Sequence, residues 1–202
     1  FRRVLFRSAS VGMVSSVTQR PKVGVRTAAN CSSGGAIAAK YSSLTSSQRA
    51  ALGASRTGEF PTPVRCGAGR HWEFGSIYWS PGTGAHVVMH STNGSMSFRN
   101  EWARVGWEGG NCGFPKMDAS FTPGGTGSFQ HFEGCSLYWS PSTGVRSVWG
   151  GIYAKWASMG WERSFCGFPT TSEFPTPNKP GAGQHFQGCS IYWSAARSEE
   201  HT

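Results

Sequence analysis

The sequence predicts a mainly β protein with short helices, built from tandem repeats of about 54 residues. The tetrapeptide Cys-Gly-Phe-Pro at residues 112–115 recurs at residues 166–169, and an aromatic segment ending in Tyr-Trp-Ser follows each copy. A third such segment ends at residues 78–80, after a weaker first copy that begins at Leu52. A repeat at this period indicates one structural unit copied along the chain, each copy burying its apolar face against the next.

Each unit is predicted to be a β-hairpin plus a short helix. In the clearest unit, the aromatic content of residues 136–139 is typical of a strand. Pro-Ser-Thr-Gly at 141–144 is typical of a turn, and residues 145–149 are predicted to form the returning strand. The residues that follow have helical spacing and predict a helix covering the hairpin: Ile152, Trp156 and Met159. The same pattern predicts earlier helices over residues 36–44 and around Phe98, Trp102 and Val105, the latter after an insertion near residues 91–95.

The repeats divide the chain into six segments. Residues 1–8 and 197–202 can be encoded by the two strands of one DNA duplex that resembles a sequencing adapter, so we interpret both ends as artefacts. Residues 9–30 are predicted to be a linker or a degenerate repeat. The first repeat then covers 31–111, the second 112–165, and a truncated third 166–196.

The six cysteines indicate disulfide bonds. Two pairs have the same spacing of 23 residues: Cys112 with Cys135, and Cys166 with Cys189. The first repeat has Leu52 and Gly75 at these positions, so both cysteines are present together or absent together, which predicts a disulfide within each of the later repeats. Cys31 and Cys66 are left over, and the sequence leaves their pairing open. Disulfides indicate an oxidising compartment and hence secretion.

Composition excludes several classes of partner. The chain has a net charge of +9, but its Lys and Arg residues are scattered, which argues against a nucleic-acid site. No apolar run approaches the roughly 20 residues of a membrane span. The cysteines lack C-x-x-C spacing, so we predict neither a metal site nor a cofactor.

Two residue types recur at fixed positions and are candidates for ligand binding. The histidines lie five residues before a serine in every repeat: His71, His131 and His185. A catalytic histidine usually occurs once, so we expect a structural hydrogen bond first and a ligand contact second. The tyrosines precede a tryptophan in every repeat: Tyr78, Tyr138 and Tyr192. Neighbouring residues of a strand face opposite sides, so we expect the tryptophans in the core and leave the tyrosines open for stacking on a sugar.

These motifs resemble the LGFP repeat of secreted and cell-envelope proteins, with Cys in place of Leu at Cys112 and Cys166, and of Gly at Cys135 and Cys189. The resemblance covers roughly residues 36–194. It implies a propeller-like array that does not catalyse a reaction, binds cell-wall polysaccharide and anchors an attached protein, often a catalytic domain, to the wall.

Two alternatives remain open. The chain could be a fragment of a secreted hydrolase or transferase whose catalytic domain is missing. If an active site lay between the repeats instead, Asp118, His86 and His90 would be its single-copy candidates. It could also be a structural or protein-interaction module of the envelope. We predict no catalytic residue within the repeats themselves, because no Gly-x-Ser-x-Gly motif or carboxylate pair is present.

Overall fold

The computed structural model describes residues 31–90, 96–177 and 180–194, together with the backbone of 2–7. The predicted linker at 9–30, the insertion near 91–95 and the C-terminal segment 197–202 lie outside these residues. The helices are α1 (Ala36–Ser43), α2 (Ser46–Leu52), α3 (Phe98–Arg104) and α4 (Gly150–Ser158). The strands are β1 (Arg2–Arg7), β2 (Phe60–Pro61), β3 (Ala68–His71), β4 (Gly75–Ser80), β5 (Gly84–Met89), β6 (Ser120–Phe121), β7 (Ser128–His131), β8 (Cys135–Ser140), β9 (Gly144–Trp149), β10 (Phe174–Pro175), β11 (Gly181–His185) and β12 (Cys189–Ser194).

The strands form three small sheets, one for each repeat. The first two are antiparallel meanders with the orders β2-β3-β4-β5 and β6-β7-β8-β9. The third contains β10, β11 and β12 in the same antiparallel order. The prediction of a mainly β protein with tandem repeats is therefore confirmed. The described part of the chain forms an open series of sheets, and the propeller-like arrangement is not shown.

Strand β1 occupies the fourth position of the third sheet. It lies along β12 on the edge that the return strands β5 and β9 occupy in the other two sheets. It runs parallel to its neighbour, whereas β5 and β9 run antiparallel. β1 is thus not equivalent to a return strand, and the interpretation of residues 1–8 as an artefact stays a prediction.

The Ser-Pro-x-Thr-Gly sequence forms the same tight hairpin in the first two repeats. Three residues separate the paired Ser80 and Gly84, and Gly84 has φ +82°, a left-handed conformation that glycine adopts without strain. The Ser80 hydroxyl accepts a hydrogen bond from the Thr83 amide at 3.1 Å. Ser140 and Thr143 repeat this contact at 3.3 Å, so the turn fixes the register of both hairpins.

Each of the first two sheets is buried on both faces, because a helix lies on either side of it. Ile77 of β4 belongs to a core with Ile37 of α1, whereas its neighbour Tyr78 belongs to the next core with Trp102 of α3. The same core contains Leu137 of the second sheet. Helix α3 therefore covers its own hairpin, as predicted, and the following hairpin as well. Helix α4 repeats this arrangement between the second and third sheets.

One tryptophan in each of α3 and α4 connects consecutive repeats. Trp102 is fully buried, with its ring 4.7 Å from Tyr78 of the first repeat and 5.4 Å from Phe132 of the second. Its indole nitrogen donates to the Gly113 carbonyl at 3.0 Å, inside the Cys-Gly-Phe-Pro segment. Trp156 makes the equivalent set of contacts one repeat later, with Tyr138, Phe186 and the Gly167 carbonyl.

The phenylalanine of Cys-Gly-Phe-Pro packs into the preceding repeat. A Cβ on Gly67 would lie 2.4 Å from the Phe114 ring, and one on Gly127 would lie 2.6 Å from the Phe168 ring. Both positions therefore need glycine, because the ring of the following repeat occupies the space of a side chain. Each Cys-Gly-Phe-Pro segment is thus held by a sheet on one side and a helix on the other.

A buried glutamine adds a polar contact to each junction. Gln130 and Gln184 are fully buried, and their amide nitrogens donate at 2.8 and 2.9 Å to the carbonyls of Val87 and Ser147 in the preceding return strand. The buried Glu101 of α3 extends the contact, because it accepts from the Ser147 amide and, at 2.9 Å, from the Ser172 hydroxyl of the third repeat.

The two predicted disulfides are present, and Cys31 pairs with Cys66, a bond that the sequence left open. The first repeat has no disulfide at the positions of Cys112–Cys135 and Cys166–Cys189, and Leu52 and Gly75 stand there instead. A Cβ on Gly75 would lie 2.3 Å from a methyl carbon of Leu52. Leucine paired with glycine therefore fills the space that a cystine fills in the later repeats, which explains why both cysteines change together.

Helix α2 was not predicted, although the sequence carries a signal for it. Thr45 and Gln48 form a capping box in which each side chain accepts a hydrogen bond from the backbone of the other. The capping box begins a helix that ends at Leu52, beside the first sheet. The predicted helix over residues 36–44 was correct within one residue.

Two equivalent glutamates have opposite environments. Glu59 accepts hydrogen bonds from the amide and hydroxyl of Ser33, just before α1, at 3.0 and 2.9 Å. Burial raises the pKa of Glu173 to about 7, against a weaker opposing hydrogen bond from Trp149, the residue before α4. One Glu173 carboxylate oxygen is buried without a partner. Glu59 therefore stabilises the start of α1, whereas ionisation of Glu173 destabilises the folded state.

We predict that the double variant Cys112→Leu/Cys135→Gly folds, because it recreates the Leu52–Gly75 pair of the first repeat. Its free energy of unfolding should fall by about 3 kcal/mol, the contribution of a cross-link across a loop of this length. The single variant Cys135→Gly should lose a further 1–2 kcal/mol or so, since a thiol fills less space than leucine. Urea denaturation measures both values. A double variant less stable than the single one would show that leucine and glycine do not fill the space of the cystine.

We also predict opposite effects for Glu173→Gln and Glu59→Gln. The folded pKa of Glu173 exceeds the unfolded value of about 4.3, so the folded state loses stability as the pH rises from about 4 through about 7. Glu173→Gln should therefore add about 1–2 kcal/mol at pH 8, after allowance for partial solvent exposure, and nothing at pH 4.

Glu59→Gln is the matched control and should cost about 1 kcal/mol at pH 8, because it weakens two hydrogen bonds to Ser33. Thermal denaturation at both pH values makes the comparison. Equal losses of stability for the two variants at pH 8 would show that Glu173 is well solvated or well paired.

Candidate functional site

An open cleft lies where the second sheet meets α4, and we call it the junction cleft. Its volume is about 390 Å³, and its lining residues come from the Cys-Gly-Phe-Pro loop, the facing ends of β7 and β8, and the helix: Lys116, Met117, His131, Phe132, Ser136 and Tyr153. The cleft combines aromatic surface with hydroxyl, imidazole and ammonium groups. This is the composition of sites that fix the orientation of a polar ligand.

His131 is held by its cross-strand neighbour. It pairs with Ser136 in the register of β7 and β8, and its Nδ1 lies 2.7 Å from the serine Oγ. Burial and, to a lesser extent, the positive charge of Lys116 lower the pKa of His131 below its usual value. The imidazole is therefore neutral at pH 7, and Nε2 is the ring nitrogen left for a ligand.

Tyr153 forms the helical wall of the cleft. Its hydroxyl is hydrogen-bonded to that of Tyr138, which belongs to the core below. Burial is the main cause that raises the pKa of Tyr138, followed by the proximity of Tyr153 and Glu162. Because Tyr153 belongs to α4, the cleft exists only where the helix docks against the sheet.

The tyrosines that were left open for stacking on a sugar do not present exposed rings. Tyr78 and Tyr138 are only 4 % exposed, and Tyr192 of the third repeat is half-buried. Trp79, Trp139 and Trp193, which were expected in the core, are half-buried and pack against the three cores. The alternation of faces was correct, but the following helix covers the tyrosine face of the sheet.

The histidines share a phenylalanine neighbour in all three repeats but differ in their hydrogen-bond partner. His185 repeats the serine contact, with its Nδ1 2.7 Å from the Ser190 Oγ, whereas His71 turns its Nε2 to the Tyr78 hydroxyl at 2.9 Å. Each imidazole also lies 4.7–5.0 Å from a phenylalanine ring. The histidine and phenylalanine pairs are His71 with Phe60, His131 with Phe129, and His185 with Phe174.

The phenylalanine comes from different strands in different repeats. The cross-strand pair is Phe60 and Gly69 in the first repeat, but Ser120 and Phe129 in the second. A Cβ on Gly69 would lie 2.7 Å from the Phe60 ring, so only one member of the pair can carry a large side chain. The ring keeps its place beside the histidine although its position in the sequence changes. Sequence reasoning missed this residue because it compared the repeats position by position.

A serine hydrogen-bonded to a histidine is also the pair that begins acyl-transfer catalysis. The pair occurs in both the second and the third repeat, and Ser136 is only 5 % exposed. In catalytic triads a carboxylate orients the other imidazole nitrogen. Among the described residues, the histidine with an acidic partner is His86, not His131. The pair therefore has the arrangement of a structural contact.

Two of the single-copy candidates for an enzyme meet at the first junction. His86 Nδ1 lies 3.6 Å from Asp118, which also binds Lys40 of α1 at 2.6 Å and the Val87 amide at 2.8 Å. Burial opposes ionisation of Asp118, but the hydrogen bonds from His86 and Lys40 outweigh it and lower its pKa to about 2. This carboxylate joins a helix, a strand and a loop, while His90 lies apart, beside Arg99.

Two further properties concern metals and membranes. Within residues 31–90, 96–177 and 180–194, no three His, Cys, Asp or Glu side chains converge as a metal site would require. The helices described in these ranges are too short or too polar to cross a bilayer.

Comparison with known families agrees with the internal repeats. The model of the LGFP repeat matches residues 52–110, 113–164 and 167–202, which together cover most of the chain. These segments begin at or next to Leu52, Cys112 and Cys166, where the repeats were placed from the sequence. No curated protein matches the chain.

Proposed function

The chain belongs to the LGFP repeat family, and on this premise we propose that it is a secreted, non-catalytic module that binds cell-wall polysaccharide. In this proposal the module anchors an attached protein to the envelope, and each repeat contributes one weak sugar site. The junction cleft is the site of the second repeat. The three disulfides support an extracellular location, because such bonds persist in oxidising compartments.

The observation that carries the proposal is the repeated placement of a histidine beside a phenylalanine ring at the surface end of each sheet. An enzyme needs one active site, whereas a module that binds a polymer gains from several equivalent sites. Linked sites raise the overall affinity by about 10²–10⁴ without new contacts, provided that the polymer spans them. A polysaccharide has the repeating structure that a row of equivalent sites would match.

The junction cleft offers complementary groups for a sugar. Tyr153 supplies apolar ring surface, while His131 and Lys116 supply hydrogen-bonding groups for hydroxyls. Since His131 is neutral at pH 7, it can share a hydrogen bond with an uncharged hydroxyl without the cost of desolvating a charge.

Co-sedimentation of the full chain with insoluble cell wall tests this function. We expect binding to intact wall and at least a tenfold loss of affinity after the polysaccharide is removed. The double variant His131→Ala/Tyr153→Ala should reduce affinity about tenfold, because one of the linked clefts is lost. Lys155→Gln, on the same helix but outside the cleft lining, is the control and should bind like the unmodified chain.

Two results would contradict the proposal. Equal binding to intact and stripped wall would favour the alternative of a protein-interaction module. Unchanged affinity of the double variant, with its fold verified by circular dichroism, would show that the junction cleft does not contact the polymer.

A further inference from the structure

The first repeat has a different set of side chains at its sheet–helix junction. Arg99 of α3 stands where Tyr153 stands on α4, since the two positions are separated by the repeat offset of 54 residues. His71 and His90 lie close to Arg99: burial, and after it the charge of Arg99, lowers the pKa of both imidazoles. This group of three nitrogen-bearing side chains is the basic cluster.

The Tyr78 hydroxyl connects two members of the cluster. Arg99 donates a hydrogen bond to the phenol oxygen, and His71 Nε2 lies 2.9 Å from the same oxygen. Because the oxygen accepts from Arg99, its own proton is free to be donated to His71 Nε2. The neutral imidazole then carries its proton on Nδ1, which becomes a hydrogen-bond donor.

Among the described residues, two nitrogen atoms of the cluster are buried and have no hydrogen-bond partner, Arg99 Nε and His90 Nδ1. A buried polar group without a partner costs about 1–3 kcal/mol, and more if it is charged. Arg99 Nε is an obligatory donor, so the missing partner is an acceptor. A group with several negatively charged oxygens would supply it.

Two carboxylates lie near the cluster, and an arginine outside it neutralises one of them. Glu73 pairs with Arg56 at 2.6 Å, whereas Glu108, which faces Tyr78, accepts a hydrogen bond from the Val64 amide at 3.3 Å. Burial, followed by the charges of Arg99 and His90, lowers the pKa of His71 to about 4, and burial also lowers the pKa of His90. Both imidazoles are therefore neutral at pH 7, and Arg99 carries the positive charge that attracts a negative ligand.

Aromatic rings flank the basic cluster on two sides. The guanidinium of Arg99 lies 5.2 Å from the centre of the Trp107 ring, and Phe60 lies 4.7 Å from His71 at an angle of 77°. Trp107 is half-buried. Ring surface next to charged donors suits a sugar that carries an acidic substituent.

We infer that the basic cluster of His71, His90 and Arg99 is a subsite for an oxyanion group on a polysaccharide, a carboxylate or a phosphate. The inference rests on the proposed function for the source of the ligand. It adds that successive junctions are not equivalent: the basic cluster at the first selects an acidic sugar, and the junction cleft at the second, with Tyr153, a neutral one. A bound oxyanion raises the pKa of both histidines, so affinity increases as the pH falls from 7 to 5.

Calorimetry on the full chain tests the subsite with defined probes. An oligogalacturonate, its neutral galactose counterpart and inorganic phosphate separate the contributions of carboxylate, sugar and free anion. We expect the oligogalacturonate to bind at least tenfold more tightly than the neutral oligosaccharide. Arg99→Gln should remove this difference, and Arg99→Lys should restore only part of it, because lysine keeps the charge but lacks the Nε donor.

Arg163→Gln is the matched control, since it removes one exposed positive charge beside α4 rather than α3. Imidazole resonances of His71 and His90 should move to higher pKa on addition of the oligogalacturonate. Equal affinity for acidic and neutral oligosaccharides, or loss of the preference in Arg163→Gln as strongly as in Arg99→Gln, would overturn the inference.

The two proposals fail in distinguishable ways. Binding of intact cell wall with no preference for acidic sugars contradicts the subsite but leaves the proposed function intact. Histidine shifts with phosphate or oligogalacturonate, but no binding of cell wall, would support the basic cluster and contradict the polysaccharide function.

Discussion

The structure depends on the contacts that one tryptophan of α3 and one of α4 make with two successive sheets. Trp102 packs between Tyr78 and Phe132 and donates to the Gly113 carbonyl, and Trp156 repeats these contacts one repeat later. Because the helix lies in a core that two sheets share, a repeat defined from cysteine to cysteine is not a folding unit. The unit is a helix together with the sheet that follows it. Small sheets that could not bury both faces alone are stabilised in this way.

The same contact explains how sites can vary while the scaffold stays constant. The helix face that holds the tryptophan is fixed by packing, but the residue at its surface edge is Arg99 in one junction and Tyr153 in the next. A change at this edge leaves the tryptophan, the cystine and the glycine contacts untouched. Under the proposed function, consecutive junctions would therefore recognise different substituents.

Local signals in the sequence predicted the hairpins, the turn and helices α1, α3 and α4, and equal spacing predicted Cys112–Cys135 and Cys166–Cys189. Burial of the tyrosines could not be predicted, because alternation shows that Tyr78 and Trp79 face opposite sides but not what covers each side. That depends on α3 lying between two sheets, a contact distant in sequence. The candidate site was found only in part: its histidines repeat in the sequence, whereas the phenylalanine beside them changes strands.

Two fragments test the shared core directly. Residues 97–149 contain α3 and the second sheet, whereas residues 112–165 contain the same sheet with α4 in place of α3. Both include the Cys112–Cys135 bond. Measured by near-ultraviolet circular dichroism and thermal denaturation, the 97–149 fragment should fold cooperatively and the 112–165 fragment should not. A cooperative transition in 112–165 alone would show that each repeat folds on its own helix and would contradict the account.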